Sequence, residues 1–415
     1  MQERLISDLE QKIYDNEFRL NSLLEITNAI NTNQSVEQLT KIFEFILKEQ
    51  IGLSKFLLFN KQDDWNLLLK VGFKGKAKDI DVEKELKRFK EITVIQSSLS
   101  PIINEFDVVV PIFHKNEALA YFLFSGIENL KSDDKILSNE TDNFRLRFIQ
   151  TLTNIIVVAI ENKRMTKLGI VQERIKKDLE IASEMQKLLF PSDLPSNRRL
   201  DISAKYIPRH EVGGDYYDFI PLNDEEYIIC IADVSGKGIS AALLMANFQA
   251  TIRTLFSYQR FELRFLIEEL NKIVLKSSKG EKFITFFVAH YNIESRELNY
   301  INAGHNSPFL TNGKSITLLE DGCVGLGMFD ELPFINEGKI EIGTNTTLVL
   351  YTDGIIELEN EKNEFFELER LVKLVHSYYP LKMEDLNNLI FSKLQEWKAT
   401  RNFVDDTAIF SCRFF

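Results

Sequence analysis

The apolar positions of the chain follow different periods in different stretches, and each period names an element. Across residues 1–30, Ile6, Leu9, Ile13, Leu20, Leu23 and Ile30 fall on one heptad seam, with Asn16 and Thr27 at its remaining positions. This predicts a helix whose seam needs a cover: another helix of this chain, a second copy, or the surface of the next domain. A seam Asn can fix the register of a helix pair. Across 31–130 the pattern changes. Ser35 can cap a helix over VEQLTKIFEFILKEQ, with Glu and Gln in its first turn. Four strand-like runs follow, KFLLFN, NLLLKV, DVVVPIFH and ALAYFLFSG, with short turns such as Lys61–Asp64 and Lys115–Glu117 between them. Helix, strands, a variable middle and strands again predict an antiparallel sheet with helices to one side.

From Asn143 to Phe190 there is no proline and one glycine, Gly169. Leu168, Val171, Ile175, Ala182, Met185 and Leu189 form a second heptad seam, broken at Asp178. A helix of that extent would be roughly 70 Å long at 1.5 Å per residue, beyond the globular norm, which points to a coiled-coil linker. Gly169 is its soft point, since glycine weakens a helix interior by ~1 kcal/mol relative to Ala. Pro191, Pro195 and Ser196 end it.

Beyond residue 196 the apolar runs are short, β-branched and punctuated by glycine, and four of the punctuation points are acidic. Asp215 follows Gly213 and Gly214. Asp233 ends the run EYIICIAD and precedes Ser235, Gly236 and Gly238, after which the pattern turns helical. Asp353 ends LVLYTDG, and Asp405 and Asp406 lie in FVDDTAIF. One Asp beside Gly at a strand end is usually a turn; the recurrence carries the argument. Strands that converge and each end in Asp would gather carboxylates, a repulsive cluster unless protonated or bridged by cations. Oxygen ligands without a His or Cys pattern suit Mg²⁺ or Mn²⁺ rather than Zn²⁺. Two such ions ~3.5–4 Å apart can activate a bridging water and orient a phosphoryl group for in-line attack.

Composition narrows the setting. A length of 415 residues predicts two or three domains, and 44% hydrophobic with 27% charged residues is ordinary for globular domains. A net charge of −12 and a pI near 5.2 argue against nucleic-acid phosphates as partners and suit divalent cations. Cys230, Cys323 and Cys412 are isolated, which excludes a zinc ribbon and argues against a disulfide framework. The start MQERLISDLEQKIYDNE has no apolar core of a signal peptide, and the run Ile155–Ile160 is too short to span a bilayer. A cytoplasmic protein is expected.

Two family resemblances follow from these stretches. LLEITNAINTNQSVEQLTKIFEFILKEQIG, VVVPIFHKNEALAYFLFSG and the closing helix FRLRFIQTLTNIIVVAIENKRM resemble a GAF domain over about 20–162. That implies a sensor, in a family that often holds a small molecule, although no Cys, His pair or other cofactor handle marks a pocket, and His114 reads as a turn residue. The order EIASEMQKLLFP, EVGGDYYDF, IADVSGKGISAALLMA, NYINAGHNSPFL, GLGMF, LVLYTDGIIELEN, DDTAIF over about 180–412 closely resembles the SpoIIE-type branch of the metal-dependent type-2C serine/threonine phosphatases. This resemblance implies a central β-sandwich flanked by helices, with Asp215, Asp233, Asp353 and Asp405 as metal carboxylates and the Val234 carbonyl as a further ligand. The family usually has Thr two residues after its DD pair; here Thr407 comes one residue after, which leaves Asp405 and Asp406 one register apart.

The fold expected is therefore α+β: an N-terminal helix (1–30), a GAF-like antiparallel sheet with helices (20–162), a helical linker (163–195), and an α-β-β-α phosphatase sandwich (196–415). The activity implied is hydrolysis of phosphoserine or phosphothreonine in a protein, in a family that commonly acts on anti-sigma-factor antagonists, with two Mn²⁺ or Mg²⁺ ions and a homodimer joined through the seams. The rival is a catalytically silent scaffold that binds a phosphoprotein; a third reading shares the site but hydrolyses small phosphoesters. Arg209, His210 and Lys237 read first as loop charges and second as phosphate contacts. His305 reads as a turn-stabilising residue or as an acid toward the leaving oxygen. Tyr216, Tyr217 and Cys230 read as packing residues.

Overall fold

The computed structural model describes residues 2–95, 100–114, 116–126, 140–258 and 262–415; Lys115, in one of the expected turns, lies outside them. The chain divides into two compact units, Met1–Glu173 and Arg174–Phe415.

The first unit contains α1 (Gln2–Asn31), α2 (Val36–Phe45), β1 (Lys55–Lys61), β2 (Trp65–Val71), α3 (Val82–Glu85), β3 (Thr93–Val94), β4 (Val108–His114), β5 (Glu117–Ser125) and the start of α4 (Glu140–Lys187). Ser35 caps α2 in a capping box with Gln38, satisfying two otherwise orphaned N–H groups. The sheet is antiparallel in the order β2-β1-β5-β4-β3. One face carries Phe56, Leu58, Val110 and Phe122 against Ile26, Phe43, Ile149 and Leu152 of α1, α2 and α4. The opposite face, with Leu57, Val109 and Tyr121, is covered by Phe73, Ile80, Leu86 and Phe106 from the connecting segments. Central strands buried on both faces explain why KFLLFN and DVVVPIFH read as continuous apolar runs rather than alternating ones.

The seam of α1 splits. Ile6, Ile13 and Leu20 are exposed, whereas Leu23 and Ile30 pack on the unit's own core beside the buried Ile26 and Ala29. In α4 the residues from Leu146 to Ile160 that face the sheet are buried, and Leu168, Val171, Ile175 and Met185 are exposed.

The second unit holds β6 (Leu200–Ile207), β7 (Tyr216–Pro221), β8 (Glu226–Val234), α5 (Ile239–Tyr258), α6 (Leu263–Ser278), β9 (Ile284–Asn292), β10 (Glu297–Ala303), β11 (Phe309–Thr311), β12 (Ile316–Leu318), β13 (Gly322–Cys323), β14 (Gly338–Glu341), β15 (Thr346–Tyr351), α7 (Asp353–Ile356), α8 (Leu368–Ser377), α9 (Met383–Lys398) and β16 (Thr407–Phe414). One sheet runs β13-β10-β9-β8-β7 with β14 also on β10; the other runs β12-β11-β15-β16-β6. Between them lie Phe219, Ile231, Phe287, Leu350 and Phe410. The outer face of the first sheet packs on α5 and α6. The outer face of the second packs on α8 and α9. The result is the expected α-β-β-α sandwich. β8 and β15 are apolar on both faces, whereas the outer face of β16 carries Ser411 and Arg413, hydrogen-bonded to Asn387 and Thr347.

An ion pair between a half-exposed Arg253 and a buried Asp218 ties α5 to β7. Arg253 makes two hydrogen bonds to Asp218, at 2.7 and 2.9 Å, and the Tyr216 hydroxyl donates to the same carboxylate. Tyr216, Tyr217 and Cys230 are buried packing residues, as expected.

Candidate active site

Each candidate aspartate is positioned by a strand end, and the four strands involved come from both sheets. In the first sheet β7 and β8 pair with Tyr216 opposite Ala232. Asp215, one residue before Tyr216, therefore comes level with Asp233, the penultimate residue of β8. In the second sheet β15 ends at Tyr351 and β16 begins at Thr407, paired so that Tyr351 faces Ile409. Asp353 does not end its strand, as the sequence suggests. Thr352 sits at the N-cap position of a one-turn helix without a side-chain capping bond, and Asp353 is the first residue of that helix. Asp405 and Asp406 immediately precede β16.

Hydrogen bonds between the two sheets hold this end together. The Thr352 hydroxyl donates to Asp215 at 2.7 Å and accepts the Ala408 N–H at 2.9 Å. Asp406 accepts the N–H of Gly214 at 2.6 Å and that of Arg209 at 2.8 Å. The packing around these turns is so close that a Cβ is excluded at two glycines. A Cβ on Gly213 would lie 2.3 Å from the Asp406 carboxylate, and one on Gly354 would lie 1.9 Å from the Asp406 carbonyl. The Val234 carbonyl borders the same turn, 3.0 Å from where a Cβ on Gly214 would be. From the other side Gln186, near the end of α4 and 7% exposed, clamps the Gly213 peptide with both amide atoms. It donates to the carbonyl at 2.7 Å and accepts the N–H at 3.1 Å.

The two adjacent aspartates thus have different work. Asp406 is occupied by two backbone N–H groups and orients the turn that carries Asp215. Asp405 is ion-paired with Lys237 at 2.5 Å and contributes to the electrostatic field at Asp233 and Asp353. Lys237 also reaches the Val404 carbonyl at 3.2 Å, so it is more than a solvated loop charge. Arg209 donates from its guanidinium to the same carbonyl. His210 is exposed.

Electrostatics show the cost of this arrangement. Burial, then the charges of Asp233 and Asp406, hold Asp215 protonated well above the ordinary carboxylate range. Burial and the neighbours Asp353 and Asp405 push Asp233 up to about 7, partly offset by a hydrogen bond with Asp215. Burial, Asp405 and Glu357 push Asp353 up to about 6. Like charges that cannot reach water must share protons or a cation. The donor set, all oxygen and mutually repulsive, fits a hard divalent ion. Among the described residues no three acidic, imidazole or thiol groups converge closely enough to hold an ion as they stand.

His305 is not available as an acid. It is buried, its Nε2 lies 3.1 Å from the Tyr351 carbonyl and its Nδ1 2.9 Å from the Thr285 hydroxyl. A carbonyl can only accept, so Nε2 carries the proton and Nδ1 accepts from Thr285. Burial lowers its pKa to about 4, which keeps the ring neutral. The turn-stabilising reading holds and the acid reading is withdrawn.

The comparisons with known proteins agree with this architecture. Residues 223–415 match the family model described as Stage II sporulation protein E (SpoIIE). The chain is 31% identical over 239 residues to the phosphoserine phosphatase RsbU of Bacillus subtilis (strain 168), covering 56% of this chain and 70% of that protein. It is 27% identical over 237 residues to the phosphoserine phosphatase RsbP of the same organism, covering 56% of each. Among solved structures, the SiaA-PP2C domain of Pseudomonas aeruginosa matches with a TM-score of 0.52 at 21% identity, over 59% of this chain and 99% of that domain, a likeness of fold. The chain belongs to the SpoIIE family, with relatives that are phosphoserine phosphatases, and its second unit shares the fold of a PP2C domain.

A pH prediction follows from the raised carboxylates. The folded-state value of Asp233 lies above its ordinary 3.8, so the folded form takes up the proton more readily. Its stabilisation is complete below 3.8 and is lost as pH rises through about 7. With chelator present, the unfolding midpoint of the wild type is expected to fall between about pH 4 and 7, and that of Asp233→Asn to fall less. At pH 8 the variant should be the more stable, by about 2–4 °C per kcal/mol of repulsion relieved. Parallel midpoint curves for the two proteins would contradict this electrostatic account.

Proposed function

We propose that the chain is a metal-dependent phosphoserine/phosphothreonine protein phosphatase whose activity is set by its N-terminal unit. The observation that supports this most is the gathering of acidic side chains from both sheets at one end of the sandwich, where burial and mutual repulsion raise Asp215, Asp233 and Asp353 above the ordinary carboxylate range. Asp215, Asp233, Asp353, Asp405 and the Val234 carbonyl would hold two Mn²⁺ or Mg²⁺ ions. When bound, such ions supply an activated water and a clamp on phosphoryl oxygens. The chain's own groups do the positioning. Thr352 orients Asp215, Asp406 and Gln186 fix the turn before it, and Lys237 neutralises Asp405 until a cation takes that place. The protein substrate we favour is a phosphorylated anti-sigma-factor antagonist, in bacterial partner-switching signalling. The three buried, free thiols suit a cytoplasmic setting, and no described helix is long and apolar enough to cross a membrane.

A catalytically silent scaffold is the weaker reading, because every acidic position of the site is filled. Purified protein is expected to release phosphate from a phosphoserine protein with Mn²⁺ or Mg²⁺ and to stop on chelation. Asp405→Asn should cost at least 100-fold in kcat, and Asp406→Asn less, because its loss loosens a turn rather than removing a ligand. Activity that survives chelation, or the reverse order of the two variants, would sink the assignment.

The first unit we read as a GAF-like sensor for a small molecule, on the strength of its five-stranded sheet and the helices on one face. We assign 1–30 to the N-terminal helix, 20–162 to the sensor, 163–195 to the linker and 196–415 to the phosphatase domain. The exposed seam at Leu168, Val171, Ile175 and Met185 supports a parallel homodimer through α4. A shift of that helix would be transmitted by Gln186 to the Gly213 turn and so to Asp215. Such coupling is typically 1–3 kcal/mol. Leu168→Asp combined with Ile175→Asp is expected to weaken dimerisation and change activity together. A sedimentation run that shows wild-type monomer at micromolar concentration with full activity would reduce the linker to a tether.

A further inference from the structure

Both carboxylate oxygens of Asp405 have partners. Oδ1 accepts the N–H of Asp406 at 2.9 Å, and Oδ2 is ion-paired with the Lys237 ammonium at 2.5 Å. The same ammonium donates to the Val404 carbonyl at 3.2 Å, and its charge reaches Asp353 as well. A side chain of this protein thus occupies an aspartate that the proposed two-ion site needs.

Lys237 is built to change partner. It is rooted in the turn that leads from Asp233 into α5, between Gly236 at φ 89° and Gly238 at φ 71°, a left-handed backbone that favours glycine. A Cβ at Gly238 would meet nothing within 4 Å, and the Lys237 side chain is 43% exposed. The four-carbon stem therefore has a fixed root, open space beside it and a head free to swing. Arg209 also donates to the Val404 carbonyl, but its backbone N–H is held by Asp406 rather than Asp405.

We propose that Lys237 has two successive partners: Asp405 in the metal-free chain, and a phosphoryl oxygen of the substrate once the site is loaded. The inference rests on the two-ion phosphatase reading. Lys237 must leave Asp405 before Oδ2 can ligate an ion, since the other oxygen is tied to the Asp406 backbone. An ammonium released beside bound cations needs an anion. The anion that enters this site is the phosphoryl group, which binds at the ions Asp405 helps to hold, next to where the ammonium is set free. Lys237 therefore competes with the metal and assists the substrate. The half-exposed ion pair is a weak competitor, and a charge-assisted bond to phosphate is the stronger of the two. By reciprocity, phosphate that draws Lys237 from Asp405 favours metal binding, so metal loading and substrate binding are coupled through one side chain.

Two calorimetric titrations of the full chain read the two partners: Mg²⁺ into the chelator-stripped protein, then inorganic phosphate into the Mg²⁺-loaded protein. Lys237→Met is expected to bind Mg²⁺ about 5-fold more tightly than wild type, which also reports that the variant is folded. It should bind phosphate roughly 10-fold more weakly. Arg209→Met removes a neighbouring charge but not the one on Asp405, and should change either affinity by roughly two-fold or less. Unchanged or weaker Mg²⁺ binding in Lys237→Met would overturn the proposal, and so would unchanged phosphate binding. Equal shifts with Arg209→Met would overturn it too, by reducing the effect to diffuse charge. If the wild type binds no Mg²⁺, the two-ion reading itself fails and this inference fails with it.

Discussion

Everything at the catalytic end depends on confining like charges out of reach of water. Asp215 is 1% exposed, and its pKa is raised first by burial and next by Asp233. Left alone, such carboxylates would move apart or take up protons. The fold denies them the first option because each is fixed to a strand end of a packed sandwich. The second option, shared protons, is what the raised values of Asp215, Asp233 and Asp353 express. Under the proposed function, divalent cations would relieve the repulsion that protons otherwise relieve.

The restraint comes from contacts that join the sheets rather than from either sheet alone. Thr352 of one sheet holds Asp215 of the other, and Asp406 holds the Gly214 peptide across the same gap. Glycine at 213 is required by the closeness of the Tyr206 hydroxyl and the Asp406 carboxylate, and at 354 by the closeness of the Asp406 backbone. Gln186 adds a third hold from α4. Because α4 also carries the first unit's core residues Ile149 and Leu152, one continuous helix bears both that core and the clamp on the turn before Asp215.

What could be read from the sequence was local. Strand-end aspartates beside glycines, the sandwich's double-sided apolar strands, and the long proline-free helix all leave short-range patterns. The contacts that distinguish Asp405 from Asp406 do not. Asp406 and Gly214 are 192 residues apart, Thr352 and Asp215 are 137 apart, and Gln186 sits among exposed polar residues of α4 with nothing in its spacing to mark it. His305 shows the same limit from the other side. Its place in AGHN allows either role, and only its burial between Thr285 and the Tyr351 carbonyl decides. The α1 seam was legible as a helix, but Ile26 and Ala29 lie off the heptad positions, and they widen the stripe enough to pack its last turns on the unit's own sheet. β3 and β13, two residues each, are too short to carry a period.

The central claim is that protons occupy the acidic cluster where cations belong. Calorimetric titration of Mn²⁺ into the chelator-stripped protein, repeated in buffers of different ionisation enthalpy, measures it directly. At pH 6 the account predicts that binding expels protons, so the observed heat varies with the buffer. At pH 8.5 it predicts a weaker dependence, with fewer protons left on Asp233 and Asp353 to expel. Binding heats that are independent of the buffer at pH 6, or no saturable binding at either pH, would contradict it.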